Sequence, residues 1–243
     1  MSWHLGPMAP FDLETTGVDV HTDRIVTACI GRVDGTGRTS TITRNWIVNP
    51  GIPIPAEAAA IHGITDEHVA NAAPAAEAVD AIARELVAAM LDNVPVVGWN
   101  VVYDLSLLAA ELRRYQHPSL EDRLNRPIGP VIDGLLLDKQ IDRYRKGSRR
   151  LVDVARHYGI DLAEIDAHGA EADALAAARV IWRIGSLGRP ELNLPLIDLH
   201  NAQVEWAIDQ AASFRDYLQQ QGKPCDGIDG IWPCKPAQTQ VAA

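Results

Sequence analysis

Hydrophobic positions along this chain follow two periods, one of two residues and one of three to four, and the switches between them mark out its elements. Residues 9–14 read as a first strand. Residues 25–33 and 41–48 are rich in β-branched and apolar side chains, with Gly35 and Gly37 between them. That is a hairpin pattern with a turn longer than two residues. A Pro-rich loop over 49–55 follows. Residues 75–92 then bring Val79, Ile82, Leu86 and Met90 onto one helical face, and residues 95–99 form a short apolar strand. A second helix over 102–115 aligns Leu105, Leu108 and Leu112. Val131 and Ile132 suggest a last short strand, followed by helices near 134–143, 151–158 and 170–187. Three strands, then helix, strand, helix, strand and helices predict an α/β sheet covered on both faces.

Pro190 and Pro195 interrupt the pattern. Beyond them Val204, Ala207, Ile208, Ala211, Phe214 and Leu218 form one more amphipathic stripe. This predicts a C-terminal helix docked on the main domain, with a partner-binding helix as the alternative. The end of the chain from Gly222 is rich in Gly and Pro and reads as irregular. The expected division is a domain over 1–188 and an extension over 189–243.

Bulk properties narrow the class. The chain has 243 residues, 47% of them hydrophobic, enough for one substantial core. No apolar run is long enough to span a bilayer. The start, MSWHLGPMAP, lacks a basic and apolar signal segment, so a cytoplasmic location is expected. Three cysteines, Cys29, Cys225 and Cys234, offer neither a paired framework nor a zinc site. A net charge of −10 argues against a broad nucleic-acid surface. Charge is local, however: Arg143, Arg145, Lys146, Arg149 and Arg150 put five cations into eight residues. That run is either a solvated loop or a patch that tracks a phosphate backbone.

The chemistry starts at APFDLETTG. Residues two apart on a strand share a face, so Asp12 and Glu14 point the same way. Burying two carboxylates together is costly unless something compensates them. Asp104, in GWNVVYDLSLL, heads a helical stripe with Leu108 and Leu112 that is expected to be buried. Asp173, in HGAEADALAAARVIWRI, heads another with Ala177, Ile181 and Ile184. Either alone is ordinary helix N-terminal charge, favourable to the macrodipole. Two such helices and a strand ending in Asp-x-Glu point instead to four carboxylates at one sheet end. All-oxygen donors select Mg²⁺ or Mn²⁺. A pair of such ions, roughly 3.5–4 Å apart, is the usual apparatus for in-line attack on a phosphodiester. His168, placed before Asp173 and followed by Gly169, is the candidate base, its ordinary pKa suiting removal of a proton from the attacking water.

With these residues in place, FDLETTG, GWNVVYDLSLL and HGAEADA resemble, in order and spacing, the three motifs of the DnaQ-like, DEDDh-type 3′→5′ exonucleases. The resemblance covers roughly residues 8–187, and Ile61-His62-Gly63-Ile64-Thr65 is similar to a further segment of that family. It implies a ribonuclease H-like fold with a mixed five-stranded sheet. It implies Asp12, Glu14 and Asp173 on one ion, Asp12 and Asp104 on a second, and His168 as general base. The sister subgroup has tyrosine four residues before the last aspartate; Gly169 stands there in this chain. Backbone groups around Leu13, Thr15 and Thr16 would hold the terminal 3′-hydroxyl, with His62 and Asn100 near the last nucleotide. Arg145 and Lys146 would track the strand. Trp99 stands where many relatives have His, as a core residue or a stacking surface for a base. The implied substrate is nucleic acid with a free 3′ end, DNA in preference. The implied partner is a DNA polymerase or another replication or repair protein. A 3′→5′ exoribonuclease, or a binding-only polymerase accessory, are the alternative readings.

Overall fold

The computed structural model describes residues 2–38, 41–161 and 169–236. Three strands open the chain: β1 (Pro7–Thr15), β2 (Ile25–Asp34) and β3 (Ile42–Asn49). Two short helices, α1 (Ala56–His62) and α2 (Asp66–Val69), follow, then β4 (Ala73–Pro74) and α3 (Ala75–Leu91). Next come β5 (Val96–Gly98), α4 (Val101–Arg114), α5 (Leu120–Leu124), β6 (Val131–Asp133), α6 (Gly134–Ile141) and α7 (Leu151–His157). The chain closes with α8 (Ala170–Gly185) and the long α9 (Leu196–Gln220). No helix among the described residues is long and apolar enough to cross a membrane.

The six strands run in the order β4-β3-β2-β1-β5-β6. β1–β2 and β2–β3 are antiparallel, and β1–β5, β5–β6 and β3–β4 are parallel, so the sheet is mixed as expected. Five strands form its body; the sixth, β4, is a two-residue edge too short to leave a period in the sequence. The helices α1, α2 and α5 also escaped the periodicity, because four to seven residues hold two turns at most.

Strand alternation sorts the core into two layers. Ala9, Phe11 and Leu13 pack with Val79, Ile82 and Leu86 of α3 and Leu105, Leu108 and Leu112 of α4. Met8, Val97 and Ile132 point the other way, onto Val180, Ile181 and Ile184 of α8. Asp12 and Glu14 have the parity of Met8 and therefore lie on the α8 side of the sheet.

The stripe beyond Pro195 belongs to α9, which packs on β6 and α6. β6 is an edge strand, and side chains of α9 supply the partners its backbone lacks. Gln203 accepts from the Asp133 amide at 2.8 Å and donates to the Val131 carbonyl at 3.0 Å, while His200 Nδ1 accepts from the Val131 amide at 3.2 Å. The chain then returns across α4. Trp232 is buried in the α3–α4 layer, and the Lys235 amide donates to Ser106 Oγ at 2.8 Å.

Candidate active site

The site is assembled where β1 stops being regular. Register against β2 shifts between Glu14 and Thr15, a bulge that re-aims the side chains around it. α8 reaches this point because its N-terminal half is built of alanines. Ala170 and Ala174 are buried against Cys29, which pairs with Asp12 across the β1–β2 ladder. Small side chains let helix and sheet approach closely. The approach carries Asp173 to Asp12 and Glu14, and the three carboxylates offer oxygens that all lie within 4.8 Å of one another.

Asp104 arrives from the opposite layer. It is buried, and its Oδ1 accepts from the Leu13 amide at 3.2 Å. It stands outside the three-carboxylate group but close enough that its charge acts on Asp12. Burial, then Asp104, Asp173 and Glu14 in turn, hold the Asp12 carboxyl well above its ordinary range. Burial and then Asp173 raise Glu14 to about 7. Burial raises Asp104 too, and Asp133 and Glu14 add to it against the opposing pull of the Leu13 amide. Four carboxyls in mutual repulsion, offering oxygen alone, fit a hard divalent cation and not a soft one.

The segment after Glu14 is a tight turn braced from several sides. Thr16 Oγ1 donates to Asp23 at 2.7 Å, and its amide donates to the Arg24 carbonyl at 3.0 Å. A Cβ on Gly17 would stand 2.6 Å from the Asp23 carboxylate, so any larger residue would have to displace Asp23 from Thr16. The amides of Leu13 and Thr16 are thus both committed within the protein. Thr15 Oγ1 donates to the Gly17 carbonyl at 2.7 Å. His62, at the end of α1, is 6% exposed and lies against the Thr15 backbone. Asn100 is exposed and holds a left-handed conformation (φ 63°), for which Asn is suited.

His168 lies outside the described residues. Arg145 does not face solvent: it and Arg149 both pair with the buried Asp138, at 2.6 and 2.5 Å, and Tyr158 donates to the same carboxylate at 2.8 Å. Lys146 is exposed. Trp99 is half-buried among α8-side residues; its Nε1 donates to the Arg149 carbonyl at 3.0 Å. Two further residues at the site were not singled out in the sequence. Tyr103 donates its hydroxyl to the Gly17 carbonyl at 2.5 Å, and Asp133 Oδ1 accepts from the Asn100 and Leu135 amides, both at 3.0 Å. Asp133 had a detectable signal, an Asp between a short strand and an apolar helix start, which is an N-cap pattern. Tyr103 stands in the second motif directly before Asp104, but nothing local names its partner, which is 86 residues away.

This geometry has relatives. A DNA polymerase III subunit epsilon-like protein of Rhodobacter capsulatus is 30% identical over 175 residues, covering 72% of this chain and 23% of that protein. A PolC-type DNA polymerase III of Streptococcus pneumoniae is 28% identical, over 71% of this chain and 11% of its own length. The chain therefore spans about a quarter or less of these curated relatives. Among solved structures, E. coli exonuclease I in complex with a dT13 oligonucleotide superposes with a TM-score of 0.61 at 19% identity, covering 77% of this chain and 42% of that one. Exonuclease I of Methylocaldum szegediense gives 0.61 at 21%, over 87% and 46%. The likeness establishes the ribonuclease H-like fold. Residues 10–181 match the exonuclease family RNase_T, and with the match spanning most of its length this chain belongs to that family.

Proposed function

We propose that this protein hydrolyses phosphodiester bonds from the 3′ end of a single nucleic-acid strand, DNA in preference, and releases 5′-mononucleotides. The observation that carries the reading is the meeting of Asp12, Glu14 and Asp173 within 4.8 Å, beside buried Asp104. The relatives' names, a DNA polymerase III subunit epsilon-like protein and a PolC-type DNA polymerase III, favour DNA as substrate and a polymerase as partner, and a fold shared with an exonuclease solved with a dT13 oligonucleotide is in keeping with them.

Asp12, Glu14 and Asp173 would hold one Mg²⁺ or Mn²⁺, and Asp12 with Asp104 a second. When bound, such ions polarise the attacking water and offset charge on the leaving oxygen. The chain's own residues do the rest. The carboxyl groups are gathered at one point, where their packing and the Leu13–Asp104 bond fix them in place. The braced turn over Thr15–Gly17, with His62 behind it, orients the terminal nucleotide. His168 takes the proton of the attacking water.

The test is a 3′-labelled single strand incubated with Mn²⁺ or Mg²⁺, with EDTA as the stop. Asp12→Ala should abolish shortening and keep the circular dichroism spectrum. His168→Ala should cut the rate by roughly 10²–10⁴ with Mn²⁺ affinity unchanged. Wild-type turnover in Asp12→Ala would remove the site assignment. A protein that binds DNA or a polymerase but shortens no strand would leave the accessory reading. RNA and double-stranded substrates in the same panel decide the substrate class.

A further inference from the structure

Tyr103 sits beside Asp104 on the first turn of α4, and its ring is half-buried. Its hydroxyl donates to the Gly17 carbonyl at 2.5 Å and meets Thr15 Oγ1 at 2.9 Å. Thr15 Oγ1 reaches the same Gly17 carbonyl at 2.7 Å. Two hydroxyls thus converge on one carbonyl, closing a triangle across the turn that ends β1. The neighbouring Asp104 takes the Leu13 amide at 3.2 Å. Consecutive residues of α4 therefore grip the start and the end of the segment over 13–17. Asp104 sets the carboxylates, and Tyr103 sets the turn.

Thr15 is also contacted, through its backbone, by His62. Its Nδ1 accepts from the Ile64 amide at 3.1 Å, which leaves the proton of the neutral ring on Nε2. That buried Nε2 is turned toward the Thr15 backbone, without reaching good hydrogen-bond geometry. The turn is therefore held by the Tyr103 phenol and contacted at Thr15 by the His62 ring.

We infer that Tyr103 is a positioning residue for the 3′-terminal nucleotide, acting through the Thr15–Gly17 turn and not on the carboxylates. The inference rests on the exonuclease reading proposed above. Loss of the hydroxyl releases the turn but leaves the ring in place, so substrate binding weakens while the chemical step is spared.

Steady-state kinetics on a 3′-labelled single strand with Mn²⁺ test this for wild type, Tyr103→Phe, Thr15→Val and the double variant. KM should rise about tenfold in Tyr103→Phe, the effect of one lost hydrogen bond, with kcat within about twofold of wild type. The double variant should be no worse than the poorer single, since both break one triangle. Unchanged KM, or single effects that multiply in the double variant, would overturn the inference. So would a fall in kcat accompanied by weaker Mn²⁺ binding, which would place Tyr103 behind Asp104. Amide hydrogen exchange gives a readout that does not need turnover. Residues 15–18 should exchange faster in Tyr103→Phe, and identical exchange overturns the latch. If wild-type protein shortens no strand, the exonuclease reading fails, and exchange alone then judges the latch.

Discussion

Asp104 Oδ1 accepts the Leu13 amide across 91 residues of sequence, so the second acidic motif is bonded to the backbone of the first. One oxygen of Asp104 thus serves the fold while its charge serves the site. The two roles separate by substitution. Asp104→Asn keeps an acceptor for Leu13 and removes one charge from a repelling group. It should melt at or above the wild-type temperature without metal, yet lose roughly 10²–10³ in kcat. Asp104→Ala orphans the Leu13 amide and should also lose roughly 1–3 kcal/mol of stability. Equal melting of the two variants would show that the bond contributes nothing.

Glu14 ties stability to pH. Burial and Asp173 lift its carboxyl from 4.5 to about 7. A folded value above the unfolded one means the native state holds the extra proton between those pH values, so stability falls as pH rises through that window. Metal-free protein should therefore melt progressively lower from pH 4.5 to 7, and Glu14→Gln should flatten that fall. Added Mn²⁺ should raise the melting temperature more at pH 7.5 than at pH 5, where protons compete for the same oxygens. An unchanged slope in Glu14→Gln would assign the pH dependence to other groups.

The edge of β6 depends on one buried amide. Gln203 is fully buried and serves both the Asp133 amide and the Val131 carbonyl. Gln203→Leu keeps the volume and leaves both groups unpaired. The expected loss is roughly 2–4 kcal/mol by urea denaturation. Because Asp133 also holds the Asn100 amide at the start of α4, Mn²⁺ affinity should weaken as well. A variant as stable as wild type would mean that water pairs the strand edge equally well.

Arg145 and Lys146 are neighbours in opposite environments. Arg145 is turned in to Asp138, which is fully buried, whereas Lys146 is exposed. Arg145→Ala should cost on the order of 2–3 kcal/mol, since buried Asp138 then keeps one cation, Arg149, beside the neutral Tyr158 hydroxyl. Lys146→Ala should leave the melting temperature alone and reduce the salt dependence of single-strand binding by about 0.7 in logarithmic slope. Identical salt slopes would remove Lys146 from the strand path.

The amino-acid order by itself determined the elements whose side chains repeat over enough turns to leave a period. β1 to β3 were legible as runs of apolar and β-branched residues, and α3, α4 and α8 because each buries one face. The pairing of Asp12 with Glu14 was legible for the same reason: strand parity is a local property. Short elements such as α1, α5 and β4 were not, because so few residues carry no period. The carboxylates of α4 and α8 could be placed at helix starts from spacing alone. Which of them meet was decided by packing. The alanine face of α8 draws Asp173 against Asp12 and Glu14, while the Leu13 amide holds Asp104 just outside that group. Packing also turned Arg145 inward to a buried carboxylate, brought Tyr103 onto Gly17, and gave the edge of β6 to Gln203. Each of these pairs joins residues whose local sequence is silent about the other. Hydrogen bonding of buried groups is satisfied wherever the folded chain supplies a partner, and only the tertiary structure says where that is.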